Sequence, residues 1–283
     1  MKLEVIAIFA IYACFALAEA ISTGFFRKVG ATRQDAVVEL LGTTILLVVT
    51  QPLALAGGIF LARLTAPGAE GALAGWPILA QLALLLLCDD MMQYWWHRLS
   101  HTVPWLYNLH RPHHNAEYMS VRIVYRNNIF YYLLMPSLWL SGALVYLGLG
   151  WVYAGYVVVK MAVIIAAHSD RRWDAPLYRM RWLSPLMWLV ERTISTPATH
   201  AAHHGKHADD GITHYKGNFG NLLFFWDVLF GTAKITRRYP EKIGVENLPP
   251  TTAAAQLLWP LVPAPRVEPA ANGPLSQLPK ATH

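Results

Sequence analysis

Residues 76–101 read WPILAQLALLLLCDDMMQYWWHRLSH. The run 76–96 is apolar enough to cross a bilayer, which takes ~20 residues of helix at ~1.5 Å rise per residue. It leads without a break into His97 and His101. On a helix, residues four apart share a face, so the two imidazoles point the same way. A membrane helix that ends in a histidine pair sets the fold class and points to the chemistry.

Four more apolar runs lie at about 5–26, 37–63, 128–149 and 151–167. They predict an all-α, polytopic transmembrane bundle of about five spans. The segments between and after them, 97–127 and 168–244, form a helical, histidine-rich cap. Together these make one membrane domain over 1–244, followed by a Pro/Ala-rich tail at 245–283. The first run reads as a retained helix rather than a signal peptide, the alternative that Ala16-Leu17-Ala18, which resembles a small-residue cleavage site, offers. The second holds Gln51-Pro52 and Gly57-Gly58, so a kink is expected near its middle. The last two are parted only at Gly148–Gly150 and form a hairpin. Residues 178–193, rich in Trp and Arg, suit a helix lying in the interface.

Composition agrees. The 283 residues are 55% hydrophobic and 14% charged, against about 25% charged in an average soluble domain. This argues against a disordered chain and against an ordinary soluble enzyme. Cys14 and Cys88 sit in apolar runs, so no disulfide framework or cysteine zinc site is present. The net charge of +6 comes without a dense Lys/Arg run, which gives no nucleic-acid signal. With the N-terminus outside, five spans put every basic segment on one side. By the positive-inside rule that side is the cytoplasm, of a bacterial inner membrane or an endoplasmic reticulum.

Histidines carry the chemistry. His97-Arg-Leu-Ser-His101 is followed by His110-Arg-Pro-His113-His114 and by His200-Ala-Ala-His203-His204, and His168 ends the fifth span. All nine fall at the same membrane face. Neutral imidazole is a good ligand for first-row transition metals. Nine exceed one tetrahedral site but suffice for two ions with four or five nitrogens each. No carboxylate stands at ligand spacing within the groups. Asp90, Tyr94, Glu117 and Asp170 lie close in sequence and are candidates to orient the ligands from behind. Lys160, about 12 Å deeper than His168 by helix rise, is expected to pair with Asp89 or Asp90.

These motifs resemble those of the fatty acid hydroxylase / sterol desaturase superfamily of membrane di-iron enzymes. That superfamily carries H-x3-H, H-x2-HH and H-x2-HH in this order. Asp90, Tyr94, His97 and Arg98 match its Asp-x3-Tyr-x2-His-Arg. His168-Ser169-Asp170 matches its His-Ser-Asn, with Asp170 where Asn is usual. Trp226 through Thr232 match its closing Trp-Asp-x-Leu-Phe-Gly-Thr. His207 and His214 are additions to the pattern. The resemblance covers about 85–235. It implies two irons held by His97, His101, His110, His113, His114, His168, His200, His203 and His204. It also implies dioxygen as co-substrate, a lipid substrate from the bilayer, and electrons from an external cytochrome, ferredoxin or reductase. The reaction would be hydroxylation or desaturation of a sterol, fatty acyl or related C–H bond.

The alternative is a metal-binding membrane protein without redox turnover, such as a divalent-metal transporter. Transporters place ionisable ligands near the midplane on broken helices, whereas these histidines gather at one face. A lipid hydrolase using metal-activated water would need a carboxylate base, which the spacing does not supply.

Overall fold

A computed structural model describes residues 3–22 and 24–264. It is all-helical. Among the described residues there is no β-strand, only isolated bridges joining Ile194 to Leu223 and Gly205 to Ile243. Three helical stretches are long and apolar enough to cross a membrane: Leu3–Ser22, Arg33–Thr65 and the 40-residue Ile129–His168. Leu17, Leu53, Phe60, Leu79, Trp151 and Val159 stay exposed along the bundle's outside, as a lipid-facing surface requires.

The first helix, α1 (Leu3–Ser22), packs on α6 (Gly150–His168). The second, α2 (Arg33–Thr65), begins with a Thr32–Asp35 capping box. Its expected irregularity is a π-helical turn at Leu46–Thr50, placed just before Pro52 so that the missing N–H falls at a helical restart. The glycines make no kink. They form a contact: α2 crosses α5 (Pro136–Leu144) so closely that a Cβ on Gly58 would lie 2.1 Å from the Trp139 carbonyl oxygen. Small residues permit such close backbone approach in membranes.

The run quoted at the outset forms one continuous helix, α3, over 78–102, with a π-helical turn at Leu86–Met91. It ends where Pro104 opens α4 (Pro104–His114), since Pro is favoured at a first helical turn. The hairpin expected after 128 turns at Gly148, whose φ of 108° needs glycine. Its first arm is shorter than expected, because Pro136 restarts the helix there. Arms α5 and α6 both pack against α3.

The cap is tied to the bundle by buried charge. Glu19 of α1, 0% exposed, accepts from Ser120 Oγ, Val121 N, Ser169 Oγ and Asp170 N at 2.6–3.1 Å. Arg126, also 0% exposed, pairs with Asp35 at 2.6 Å and donates from Nε to the Pro112 carbonyl. Within the 178–193 region, α7 (Ser184–Thr193) buries Met187 and Glu191 and exposes Leu186, Trp188 and Leu189. Helix α8 (Pro197–His203) packs against α6. The expected tail starts with structure: α9 (Ala253–Leu258) packs on α2 and α4, and its Gln256 accepts from Arg126 Nη2 at 3.1 Å. Leu257 is thereby buried. The rest of the tail, 265–283, lies outside the described residues.

The expected lysine–aspartate pair is present. Lys160 Nζ lies 2.5 Å from Asp89 Oδ2, which also accepts from Tyr156 at 2.8 Å.

Candidate metal centre

Four helices converge on one buried space. Helix α3 brings His97 and His101, and α4 turns back at Pro104 to bring His110, His113 and His114. Helix α6 ends on His168. Helix α8, started by the Thr196–Thr199 capping box with Pro197 in its first turn, brings His200 and His203, with His204 as its C-cap. All nine histidines are at most 5% exposed.

They divide into two groups. His97, His101, His110, His114 and His203 form one; His113, His168, His200 and His204 form the other. Within each, one ring nitrogen per residue lies within 4.8 Å of all the others. Each H-x2-HH motif is split. Its i, i+4 pair, His110/His114 or His200/His204, serves one group. The third histidine, His113 or His203, crosses to the other. The groups abut through His114 and His204, whose rings stack with centroids 4.3 Å apart.

Hydrogen bonds fix which nitrogen five of the rings offer. Nδ1 of His97 donates to the Phe219 carbonyl (2.7 Å) and that of His203 to Gly217 (2.8 Å). Nδ1 of His113 donates to Ile123 (3.0 Å) and that of His168 to Ile164 (2.7 Å). His110 Nδ1 meets Asn127 Oδ1 at 2.8 Å. With Nδ1–H committed, Nε2 carries a lone pair. Yet His97 and His203 bring their Nε2 atoms to 3.0 Å, and His113 and His168 to 3.3 Å. Two lone pairs at such a distance repel unless a cation neutralises them. His101 has no hydrogen-bond partner at either nitrogen. The donor set therefore fits two metal ions, with the backbone carbonyls holding the ligand rings as metal sites commonly do.

Protons are poor substitutes for those cations. Burial pushes the His97 imidazole down to about 4. Burial first, then the neighbouring imidazoles, holds His101, His114, His200 and His204 well below the ordinary histidine value. Among the described residues no carboxylate belongs to either group, so two divalent ions would need an added anion between or beside them.

The residues expected to stand behind the ligands are placed elsewhere. Asp90 accepts from Trp226 Nε1 (2.8 Å) and Leu223 N (3.2 Å). The Tyr94 hydroxyl meets Thr232 Oγ1 at 2.9 Å and accepts from Arg98. Glu117 pairs with Lys206, and Asp170 with Lys28. None of the four hydrogen-bonds a histidine. His207 meets Glu246, and neither it nor His214 joins a group. The side chains that do act from behind are Asn127 and Asp227. Buried Asp227 accepts from Phe219 N, Gly220 N and Thr232 Oγ1 at 2.6–2.9 Å. It thereby fixes the loop whose carbonyls hold His97 and His203. Asp227 lay inside the Trp-Asp-x-Leu-Phe-Gly-Thr motif, which was the available signal; Asn127 had none.

A cavity of about 780 Å³ lies within the bundle between α1, α2, α3, α5 and α6. Most of its lining is apolar, with Phe9, Leu46, Leu55 and Ile59 among it. It approaches the histidines at three points. Gln93 is one turn before His97. Tyr132 accepts from Asn127 Nδ2 at 2.9 Å, and Ile164 is the carbonyl partner of His168.

Comparison with known proteins follows the same residues. The profile of the family described as fatty acid hydroxylase matches residues 82–232, a span that holds all nine histidines. The alkylglycerol monooxygenase of Danio rerio is 27% identical over 161 residues, covering 53% of this chain and 29% of that protein. The chain thus covers less than a third of the length of this curated relative. No solved structure matches.

Proposed function

The chain belongs to the fatty acid hydroxylase family, and from that membership and its paired histidine groups we propose that it is a membrane di-iron oxidoreductase acting on a lipid C–H bond. The observation that carries this reading is the two-group nitrogen site beside a largely apolar cavity. Two irons, bound by five and four imidazoles, would supply the activation of dioxygen. In the hydroxylation form, the C–H bond and dioxygen, with two electrons and two protons, yield an alcohol and water. The similarity to an alkylglycerol monooxygenase favours this form over desaturation.

The chain's own residues supply the setting. Phe219 lies 5.4–5.6 Å from the rings of His97, His101 and His203, and Tyr131 stacks on His110 at 4.8 Å. These aromatics keep water from the site. The cavity takes an acyl, sterol or ether-linked chain from the bilayer. Electrons arrive from a separate carrier on the cap side, which five spans with the N-terminus outside would turn to the cytoplasm.

The test is analytical. Protein purified in detergent should hold two irons per chain and consume dioxygen when given a reductant and a membrane lipid extract. Mass spectrometry should show a lipid that has gained one oxygen atom; loss of two hydrogens would instead mean desaturation. Tight binding of iron with no lipid-dependent oxygen uptake would overturn the enzyme reading and favour metal handling.

A further inference from the structure

We infer that Gln93 and Ser137 bind the polar group of the lipid, a hydroxyl or an amide N–H, so that the carbon oxidised lies within a few bonds of it. This deepens the lipid-oxidising reading and rests on it.

The cavity is a place where polar side chains need a reason. Gln93 and Ser137 both line it. Gln93 Oε1 and Ser137 Oγ are buried without a hydrogen-bond partner among the described residues. Buried polar groups are seldom left so, because losing water without gaining a partner is costly. The two residues sit on helices that pack together, α3 and α5. A hydroxyl has the chemistry to serve both, donating to the Gln93 carbonyl oxygen and accepting from the Ser137 hydroxyl. An amide N–H satisfies the first.

The charge nearby selects a neutral group. Lys160 and Asp89 also line the cavity, but they face each other at 2.5 Å. The ammonium is matched within the wall, so a carboxylate or phosphate ligand would have to displace Asp89. Position sets the distance. Asp89, Gln93, His97 and His101 follow one another at four-residue steps along α3, about 6 Å of rise each. A group held at Gln93 is therefore one helical turn from the metal ligands. The apolar remainder of the lipid runs away from them, past Leu46, Leu55, Ile59 and Phe9.

Two measurements on the iron-loaded protein test this. The first is anaerobic binding of radiolabelled hexadecanol, hexadecyl methyl ether and palmitate in nanodiscs, compared with the Gln93→Leu variant at unchanged iron content. The wild type should prefer the alcohol over the ether and the acid by roughly tenfold or more, as sites built to bind a hydroxyl do. The variant should lose that preference, and Ser137→Ala should weaken it. Equal binding of all three by the wild type overturns the inference. The second locates the new oxygen or double bond in the product lipid by fragmentation. A position within a few bonds of a hydroxyl or amide supports the inference. A mid-chain position overturns it while leaving the lipid-oxidising function intact. Iron-loaded protein that yields no oxidised lipid overturns the function itself, and the inference with it.

Discussion

His97 and His203 bring their Nε2 atoms to 3.0 Å of each other while each gives its Nδ1–H to a backbone carbonyl, of Phe219 and Gly217. Neither ring has a proton left for the other, so the contact is one that a shared cation would relieve. The two residues come from different motifs on different helices, so a metal bound between them would cross-link α3 and α8. Its removal should loosen the cap.

The division into groups of five and four predicts separable metal loss. Replacing His200 by Ala should lower bound iron to roughly half, and adding His97→Ala should abolish it; ligand and support losses commonly change metal affinity by 10–100-fold or more. Elemental analysis of the purified variants reads this directly. Full iron in the double variant would rule out the assignment.

Asp227 touches no histidine, yet it should matter nearly as much as one. Asp227→Ala leaves the N–H groups of Phe219 and Gly220 unheld, and with them the carbonyls that orient His97 and His203. Iron affinity should fall by about 10–100-fold, with membrane insertion unchanged. A chelator competition titration gives the number. Unaltered affinity would mean that the loop holds its shape without the carboxylate.

Stability should fall with acid in a defined window. Eight cap histidines, from His97 to His204 without His168, have their proton affinity depressed in the folded protein, His97 to about 4. Unfolded histidine binds a proton near 6.5. Below that value the unfolded chain takes up protons that the folded chain refuses, so stability present above about 6.5 is lost as pH falls towards 4. Each histidine contributes up to about 1.4 kcal/mol per pH unit there. Asp227, pushed up to about 6 by burial, and Asp174, also raised by burial, act in the opposite sense, but the eight histidines outnumber them. Bound metal steepens the loss, since protons compete for the same nitrogens. Thermal melts and iron release followed from about pH 8 to about pH 5 should drop together; a flat profile would contradict the buried cluster.

Lys160→Met should destabilise the protein by about 3–5 kcal/mol, the usual result of stranding one member of a buried ion pair. Among the described residues Asp89 would keep only the Tyr156 hydroxyl as a side-chain hydrogen-bond donor. Adding Asp89→Asn should recover much of the loss in detergent melts. No recovery would indicate that Lys160 matters by another route.

Local chemistry settled a good deal before any tertiary contact was known. Apolar run length sets the helices, and four-residue spacing sets which histidines share a face. The all-helical architecture, the hairpin turn near Gly148 and the Lys160–Asp89 pair follow from such rules, because each depends on neighbours along one helix or on depth along two. Packing decided the rest. Helical periodicity puts His110 and His114 on one face and His113 on another, but only the docking of α4 against α3, and of α8 against α6, determines which group each face meets. The same holds for the supports of the ligands. They are mostly backbone carbonyls, of Phe219, Gly217, Ile123 and Ile164, and a carbonyl is common to every residue, so it leaves no mark in a sequence. Asp90, Tyr94, Glu117 and Asp170 lie near the histidines along the chain but find nearer partners in Trp226, Thr232, Lys206 and Lys28. Glu19, in an otherwise unremarked apolar helix, closes on the residues after His168. A buried carboxylate goes to whichever N–H and O–H groups the fold brings within reach, and that is a property of the packed chain alone.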